Sequence, residues 1–217
     1  MLFRLLIVAA LSFPSLCFAK EPRPLNPSIG KTYSRTLYDT AVEGSCVLID
    51  ENHVLTCMHL ISDPTMQITL GKEKHTGTLV VVDFLRDWSI YRLARKSRHK
   101  PLVVAERTPA NKSTLISFGH GKGVYGASVL VWENGELRGT IQQGDSGGPV
   151  LNSAGEVLSV NSAKRLDRPV VYAHGFGQLR PFVRKWTKSK KLFCVENHTF
   201  VSQPEVAGES VLKTARK

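Results

Sequence analysis

The chain has 217 residues, 42% of them hydrophobic and 22% charged, with a formal net charge of +11 at pH 7. That balance excludes a disordered, collagen-like or coiled-coil chain, and the length suits one large domain or two small ones. The excess of Lys and Arg suits acidic partners such as anionic lipid, polyanionic glycan or nucleic acid, and serves solubility equally well.

Met1 to Arg4 makes a positive start, Leu5 to Phe13 a short apolar run, and Ser15 to Ala19 a stretch ending on a small residue. Residues 1–19 therefore read as a secretory signal peptide cleaved after Ala19. The apolar run is too short to span a bilayer, and no other stretch is long and apolar enough, so a secreted or periplasmic protein with no transmembrane span is expected. Leu16 is too large to precede a lipid-accepting cysteine at Cys17. Cleavage leaves Cys46, Cys57 and Cys194, an odd number, in a compartment that permits disulfides. Cys46 and Cys57 flank one predicted hairpin and are the favoured disulfide; two buried small hydrophobes are the alternative. Residues 20–39, with Pro22, Pro24 and Pro27, read as an extended arm and not as a strand.

From residue 40 the pattern becomes strand-rich. Val47-Leu48-Ile49, the polar turn Asp50-Glu51-Asn52 and Val54-Leu55 predict a β-hairpin, followed by Thr56-Cys57-Met58-His59. His53, in the turn, reads as exposed. Gln67 to Leu70 and Gly77 to Asp83 are strand-like, and a further strand opens at Asp87-Trp88-Ser89-Ile90. Arg92 to Lys100 is a basic connector. Leu115 to Gly119 opens a second set of strands, continued by Ala127 to Trp132, Leu137 to Ile141, Pro149 to Asn152 and Val157 to Val160. Between them Gly119, Gly121, Gly123 and Gly126 form a flexible loop; no Gly-Lys-Ser/Thr triplet makes it a phosphate loop. Leu179, Phe182, Val183 and Trp186 recur at helical spacing, with Pro181 tolerated in the first turn. Residues 188–217 form a basic tail. Together with Arg180, Arg184 and Lys185, the lysines Lys188, Lys190 and Lys191 make a cluster that suits an anionic surface or simply faces solvent. Asn111-Lys112-Ser113 and Asn197-His198-Thr199 are glycosylation sequons.

The stretch that organises the rest is Gly144-Asp145-Ser146-Gly147-Gly148-Pro149-Val150. A serine hydroxyl is a weak nucleophile and needs a base within hydrogen-bond reach. An oxyanion needs preorganised backbone donors, and glycines allow the required backbone angles and a close substrate approach. This stretch resembles the nucleophile loop of chymotrypsin-fold serine proteases, trypsin-like and HtrA-like alike. Gly44-Ser45-Cys46-Val47-Leu48-Ile49 with Leu55-Thr56-Cys57-Met58-His59-Leu60 is similar to the HtrA-like segment that carries the general base. Cys46 and Cys57 stand where HtrA-like chains usually carry glycine and asparagine. Asp87-Trp88-Ser89-Ile90 fits the family's pattern of an aspartate before apolar, small and apolar residues. Asp83 does not fit, because Leu85 is bulky and Arg86 charged.

The resemblance covers residues 40 to 186 and implies an all-β fold: two six-stranded antiparallel β-barrels, 40–100 and 112–177, with a C-terminal helix closing the second. The protease domain then spans 40–187. It implies Ser146 as nucleophile, His59 as general base and then acid, and Asp87 as the group that orients His59. The N–H groups of Gly144 and Ser146 form the oxyanion hole. Thr140 lies at the base of the S1 pocket, with Ile141 and Asn161-Ser162-Ala163 as its walls. With no carboxylate there, small or medium uncharged P1 residues are expected, while Lys164 and Arg165 leave an acidic P1 open. That chemistry takes protein or peptide substrates and needs no metal or organic cofactor; nucleic acid is not expected as a partner. The alternative is a protease-fold binding protein that acts through its basic surface. Asp145 is the aspartate that pairs with a freed Ile-Val-Gly-Gly terminus in trypsin-like zymogens. Here the only Ile-Gly pair of the arm, Ile29-Gly30, continues as Lys31-Thr32, so no cleavage-dependent switch is expected, and Asp145 should pair with side-chain or backbone donors or else face solvent.

Overall fold

The computed structural model describes residues 26–35, 41–164, 167, 169–188 and 194–195. The expected signal peptide, the start of the arm, Arg165, Lys190, Lys191 and the Asn197 sequon lie outside the described residues.

Six strands make the first half: β1 (Ile29–Arg35), β2 (Ala41–Asp50), β3 (His53–Cys57), β4 (Thr65–Leu70), β5 (Glu73–Asp83) and β6 (Trp88–Leu93). They pair around a ring, β4-β1-β2-β3-β6-β5 and back to β4, so the sheet closes into a barrel. The stretch read as an arm is corrected here. Ile29 to Arg35 is a strand, paired antiparallel with β2 along its length (Ile29 opposite Val47) and with β4 on its other side. Pro27 lies just ahead of it, where a missing N–H disturbs no ladder.

The second half contains β7 (Ser113–Gly119), β8 (Gly126–Glu133), β9 (Glu136–Arg138), β10 (Pro149–Leu151), β11 (Val157–Val160), β12 (Ala163–Lys164) and β13 (Val170–Tyr172). The pairing order β11-β10-β7-β8-β9-β13-β12 is an open, curled sheet, where a closed six-stranded barrel was expected. Its two edges, β11 and β12, are consecutive in the chain and joined by Asn161-Ser162. The strand that would close the ring is broken at those two residues into β11 and β12, so hydrogen bonding does not run round the ring although the chain does.

α1 (Leu179–Thr187) buries Leu179, Phe182, Val183 and Trp186, the residues whose spacing predicted it. It does not close the second sheet. Its apolar face joins the core of the first barrel, where the Phe182 and Trp88 rings lie 5.3 Å apart. Truncating either ring to alanine would cost about 3–5 kcal/mol. Arg180 pairs with Glu106, while Arg184, Lys185 and Lys188 face solvent. A short strand β14 (Cys194–Val195) runs parallel to β5 at Val81 and Val82. No helix among the described residues is long and apolar enough to cross a membrane.

Two further corrections follow from register. Cys46 and Cys57 are both buried free thiols, not a disulfide. Val47 pairs with Leu55, so Cys46, one residue before Val47, and Cys57, two after Leu55, lie on opposite faces of the hairpin. Burial pushes the Cys46 thiol up to about 12, against a hydrogen bond with the Gly30 backbone. His53 is buried rather than exposed. Arg92 Nε donates to His53 Nε2 at 3.2 Å, which leaves the Nδ1 hydrogen for Asp50 Oδ2 at 2.8 Å.

Candidate active site

His59 follows β3 in a single turn of 3-10 helix, Met58–Leu60. Asp87 stands immediately before β6 and holds a left-handed backbone, φ 56°, a region that aspartate tolerates better than most residues. β3 and β6 are neighbours with Cys57 opposite Trp88, so the residues that follow one strand and precede the other meet. The His59 backbone N–H donates to Asp87 Oδ1 at 2.9 Å, and His59 Nδ1 lies 2.6 Å from Asp87 Oδ2. With the Nδ1 hydrogen on the carboxylate, Nε2 is left as the basic nitrogen. Ser162 Oγ donates to the same Asp87 Oδ2 at 2.5 Å. Burial works against the charge of Asp87, yet the hydrogen bonds from His59 and Ser162 hold its carboxyl below the ordinary aspartate value. Asp83, the rejected candidate, is buried elsewhere, with Oδ2 2.8 Å from Arg86 Nη1 and Oδ1 capping the N–H groups of Leu85 and Arg86.

Ser146 comes from the second half, in the loop that enters β10. Its backbone carbonyl accepts the Ser45 N–H at 2.7 Å, which ties the loop to β2. Gly147 packs so tightly on that strand that a Cβ there would lie 2.1 Å from both Ser45 O and Thr56 Oγ1. Its N–H donates to Asn161 O, which also accepts the Cys57 thiol at 2.8 Å. Burial, and next the charge of Asp87, push that thiol well above its ordinary range, so it stays a neutral donor. The Ser146 hydroxyl donates to Ser162 O at 3.2 Å; among the described residues this is its hydrogen bond, and none runs to His59.

The peptide groups around Ser146 have a definite orientation. Gln143 O accepts the Lys122 N–H at 2.8 Å. Gly144 O accepts Ser45 Oγ at 2.7 Å. Asp145 O accepts the Gly148 N–H at 2.9 Å and Asn161 Nδ2 at 3.2 Å. In a trans peptide the N–H points opposite to its C=O. The Gln143 and Asp145 carbonyls are drawn inward, so the N–H groups of Gly144 and Ser146 point out of the loop. Neither has an acceptor among the described residues. Two donors aimed away from the protein beside a serine hydroxyl can hold a developing oxyanion. Gly144 carries φ +95°, and a side chain there would lie 2.7 Å from His120 O.

Asp145 is buried, and its Oδ2 accepts the Gln142 backbone N–H at 2.8 Å, a backbone donor as expected. The expected pocket residues separate into two groups. Thr140 is exposed, Ile141 is buried, and Ala163 is exposed on β12 beside Lys164. Asn161 is fully buried, and its side chain is bonded to Ser117 Oγ, Phe118 O and Asp145 O. Ser162 is turned to Asp87. The side chains of these two positions, expected as pocket walls, brace the serine loop and the aspartate. Cys57, His59 and Asp87 also bring a sulfur, a nitrogen and an oxygen within 4.8 Å of one another, the donor atoms of a metal site, but here they are bonded to one another and to the backbone.

Comparison with known proteins gives the fold and the family. The fold matches a protease from M. tuberculosis in its active form (TM-score 0.70, 20% identity, 77% of this chain and 84% of that one). It also matches a serine endoprotease from Yersinia pestis (TM-score 0.64, 20% identity, 74% of this chain and 62% of that one). An HtrA-type protease with a tripeptide matches similarly (TM-score 0.64, 17% identity, 74% and 60%). No curated protein matches the sequence. The model of the trypsin-like peptidase domain matches residues 44–160, more than half of the chain and the span that holds His59, Asp87 and Ser146. The chain therefore belongs to the trypsin-like peptidase family and is a serine endopeptidase.

Proposed function

We propose that the chain is an exported endopeptidase that cleaves peptide bonds through an acyl-enzyme on Ser146. On substrate binding the Ser146 hydroxyl leaves Ser162 O and turns to His59 Nε2, a contact that commonly tightens only in the complex. His59 takes the hydroxyl proton as Oγ attacks the scissile carbonyl. The carbonyl oxygen becomes an oxyanion held by the Gly144 and Ser146 N–H groups. His59, now an imidazolium stabilised by Asp87, gives the proton to the leaving amine. Water then attacks the acyl-enzyme by the same steps in reverse roles. The observation that carries this reading is the pair of N–H groups beside Ser146 with no acceptor among the described residues, together with the 2.6 Å contact of His59 with Asp87.

Export rests on the signal-like residues 1–19. The P1 preference rests on Thr140 at the pocket base and Ile141 in its wall, with no carboxylate at either, which favours a small or medium uncharged side chain such as Val, Ala or Leu. A peptide library dominated by Arg or Lys at P1 would overturn that preference. The reading as a whole is tested with a fluorophosphonate probe and a peptidase assay. Wild type should be labelled, and Ser146→Ala should lose both the label and about 10⁶-fold in kcat. An unlabelled wild type would leave a binding module on a protease fold.

A further inference from the structure

Ser45 is fully buried in β2, in the first barrel, yet among the described residues its side chain bonds only to the second half of the molecule. Its hydroxyl accepts the His120 N–H at 2.8 Å and donates to Gly144 O at 2.7 Å. Its backbone N–H also donates to Ser146 O, and its carbonyl accepts Thr56 Oγ1 at 2.6 Å. His120 begins the turn whose Lys122 N–H holds Gln143 O. One hydroxyl thus fixes the Gly144 carbonyl directly and anchors the turn that fixes the Gln143 carbonyl. Gly144 lies between those two peptides, and its N–H is one of the two donors aimed at the oxyanion position. Glycine at φ +95° has no side chain to hold its own orientation, so these bonds set the direction of that N–H.

We infer that Ser45 is a positioning residue for the oxyanion hole, acting through Gly144 and never touching substrate. The inference rests on the proposed role of Ser146 and the Gly144 and Ser146 donors. Ser45→Ala removes both hydrogen bonds of the hydroxyl and lets the Gly144 peptide turn. A misplaced catalytic donor costs about 100-fold.

The test measures kcat, KM and the affinity of a peptide boronate for wild type, Ser45→Ala and Ser45→Thr. The boronate's tetrahedral adduct places an oxygen in the oxyanion hole. Active-site titration and thermal melting report the folded fraction of each variant. The expected result is a loss in kcat of about 100-fold in Ser45→Ala with KM within about twofold. Boronate affinity should fall in parallel, and Ser45→Thr should recover most of both. An unchanged kcat per titrated site, a loss carried by KM alone, or a Ser45→Ala chain that does not fold would overturn it and assign Ser45 to the core. Ser146→Ala is assayed beside them. If that variant keeps full activity, the reading of Ser146 itself fails and the inference falls with it; if it is inactive while Ser45→Ala is normal, only the inference fails.

Discussion

Gly147 has no room for a side chain. A methyl group there would sit 2.1 Å from Ser45 O and Thr56 Oγ1, on a backbone at φ +81°. Gly147→Ala should cost about 2–6 kcal/mol, from left-handed strain and overpacking together, read as a lowered urea midpoint. A stability within about 0.5 kcal/mol of wild type, the range of a neutral surface change, would show that the loop is not held as described. Asp87→Asn should keep the fold and lower kcat about 10⁴-fold at neutral pH. The amide would present an N–H to His59 Nδ1 and drive the ring hydrogen onto Nε2, the atom that must be basic. Turnover near wild type would remove Asp87 from the mechanism. The pairing of His59 with Asp87 was legible in the sequence because each sits in a short local pattern, as the proposed nucleophile Ser146 does. The roles of Ser45, Asn161 and Ser162 were not, because their partners lie far away in sequence. Ser45 meets Gly144 99 residues on, and Ser162 meets Asp87 75 residues back. The two cysteines misled because a hairpin brings residues close without saying which face each one takes.

At the scale of elements, the turn joining β4 to β5 is fastened to the segment after β6 through Glu73. Its carboxylate accepts Ser97 Oγ at 2.8 Å, lies 3.0 Å from His75 Nε2 and faces the Arg98 N–H. Desolvation opposes its charge, but the bonds from Ser97 and His75 and the Arg98 N–H outweigh it and lower the carboxyl from 4.5 to about 2. A depressed folded-state pKa adds stability that is complete above about 4.5 and is lost as pH falls towards about 2. Urea melts over that window should show stability falling with pH in wild type and a shallower fall in Glu73→Gln. Equal slopes would mean that Glu73 is not held in these bonds. α1 was legible because its four apolar residues recur at helical spacing. β1 was hidden: Thr32 and Ser34 are buried although polar, so no apolar alternation marks the strand, and the partners that define it are β2 and β4. The strand break at Asn161-Ser162 was equally hidden, since nothing local distinguishes a strand that changes partners from one that continues.

For the whole molecule, donors among the described residues already hold the groups that orient the serine loop. Asp145 is bonded to the Gln142 N–H, and the Gln143, Gly144 and Asp145 carbonyls each have a donor. Ile29, where a trypsin-like terminus would be sought, is 1% exposed and paired with Val47 inside β1. Residues Lys20 to Lys217 made with one extra N-terminal residue should therefore titrate as fully active. Activity that appears only after a cut between Pro27 and Tyr33 would contradict this.

The site also has a consequence in time. His59 and Asp87 belong to one barrel and Ser146 to the other sheet, and the bonds from Ser45 to Ser146 and from Cys57 to Asn161 exist only once the two halves have docked. In the proposed mechanism, a chain with one half folded holds either a base without its nucleophile or a nucleophile without its base. It can cut neither its neighbours nor itself before the halves meet. On dilution from denaturant, hydrolysis should lag behind the recovery of β-structure, and that lag measures the docking of the halves.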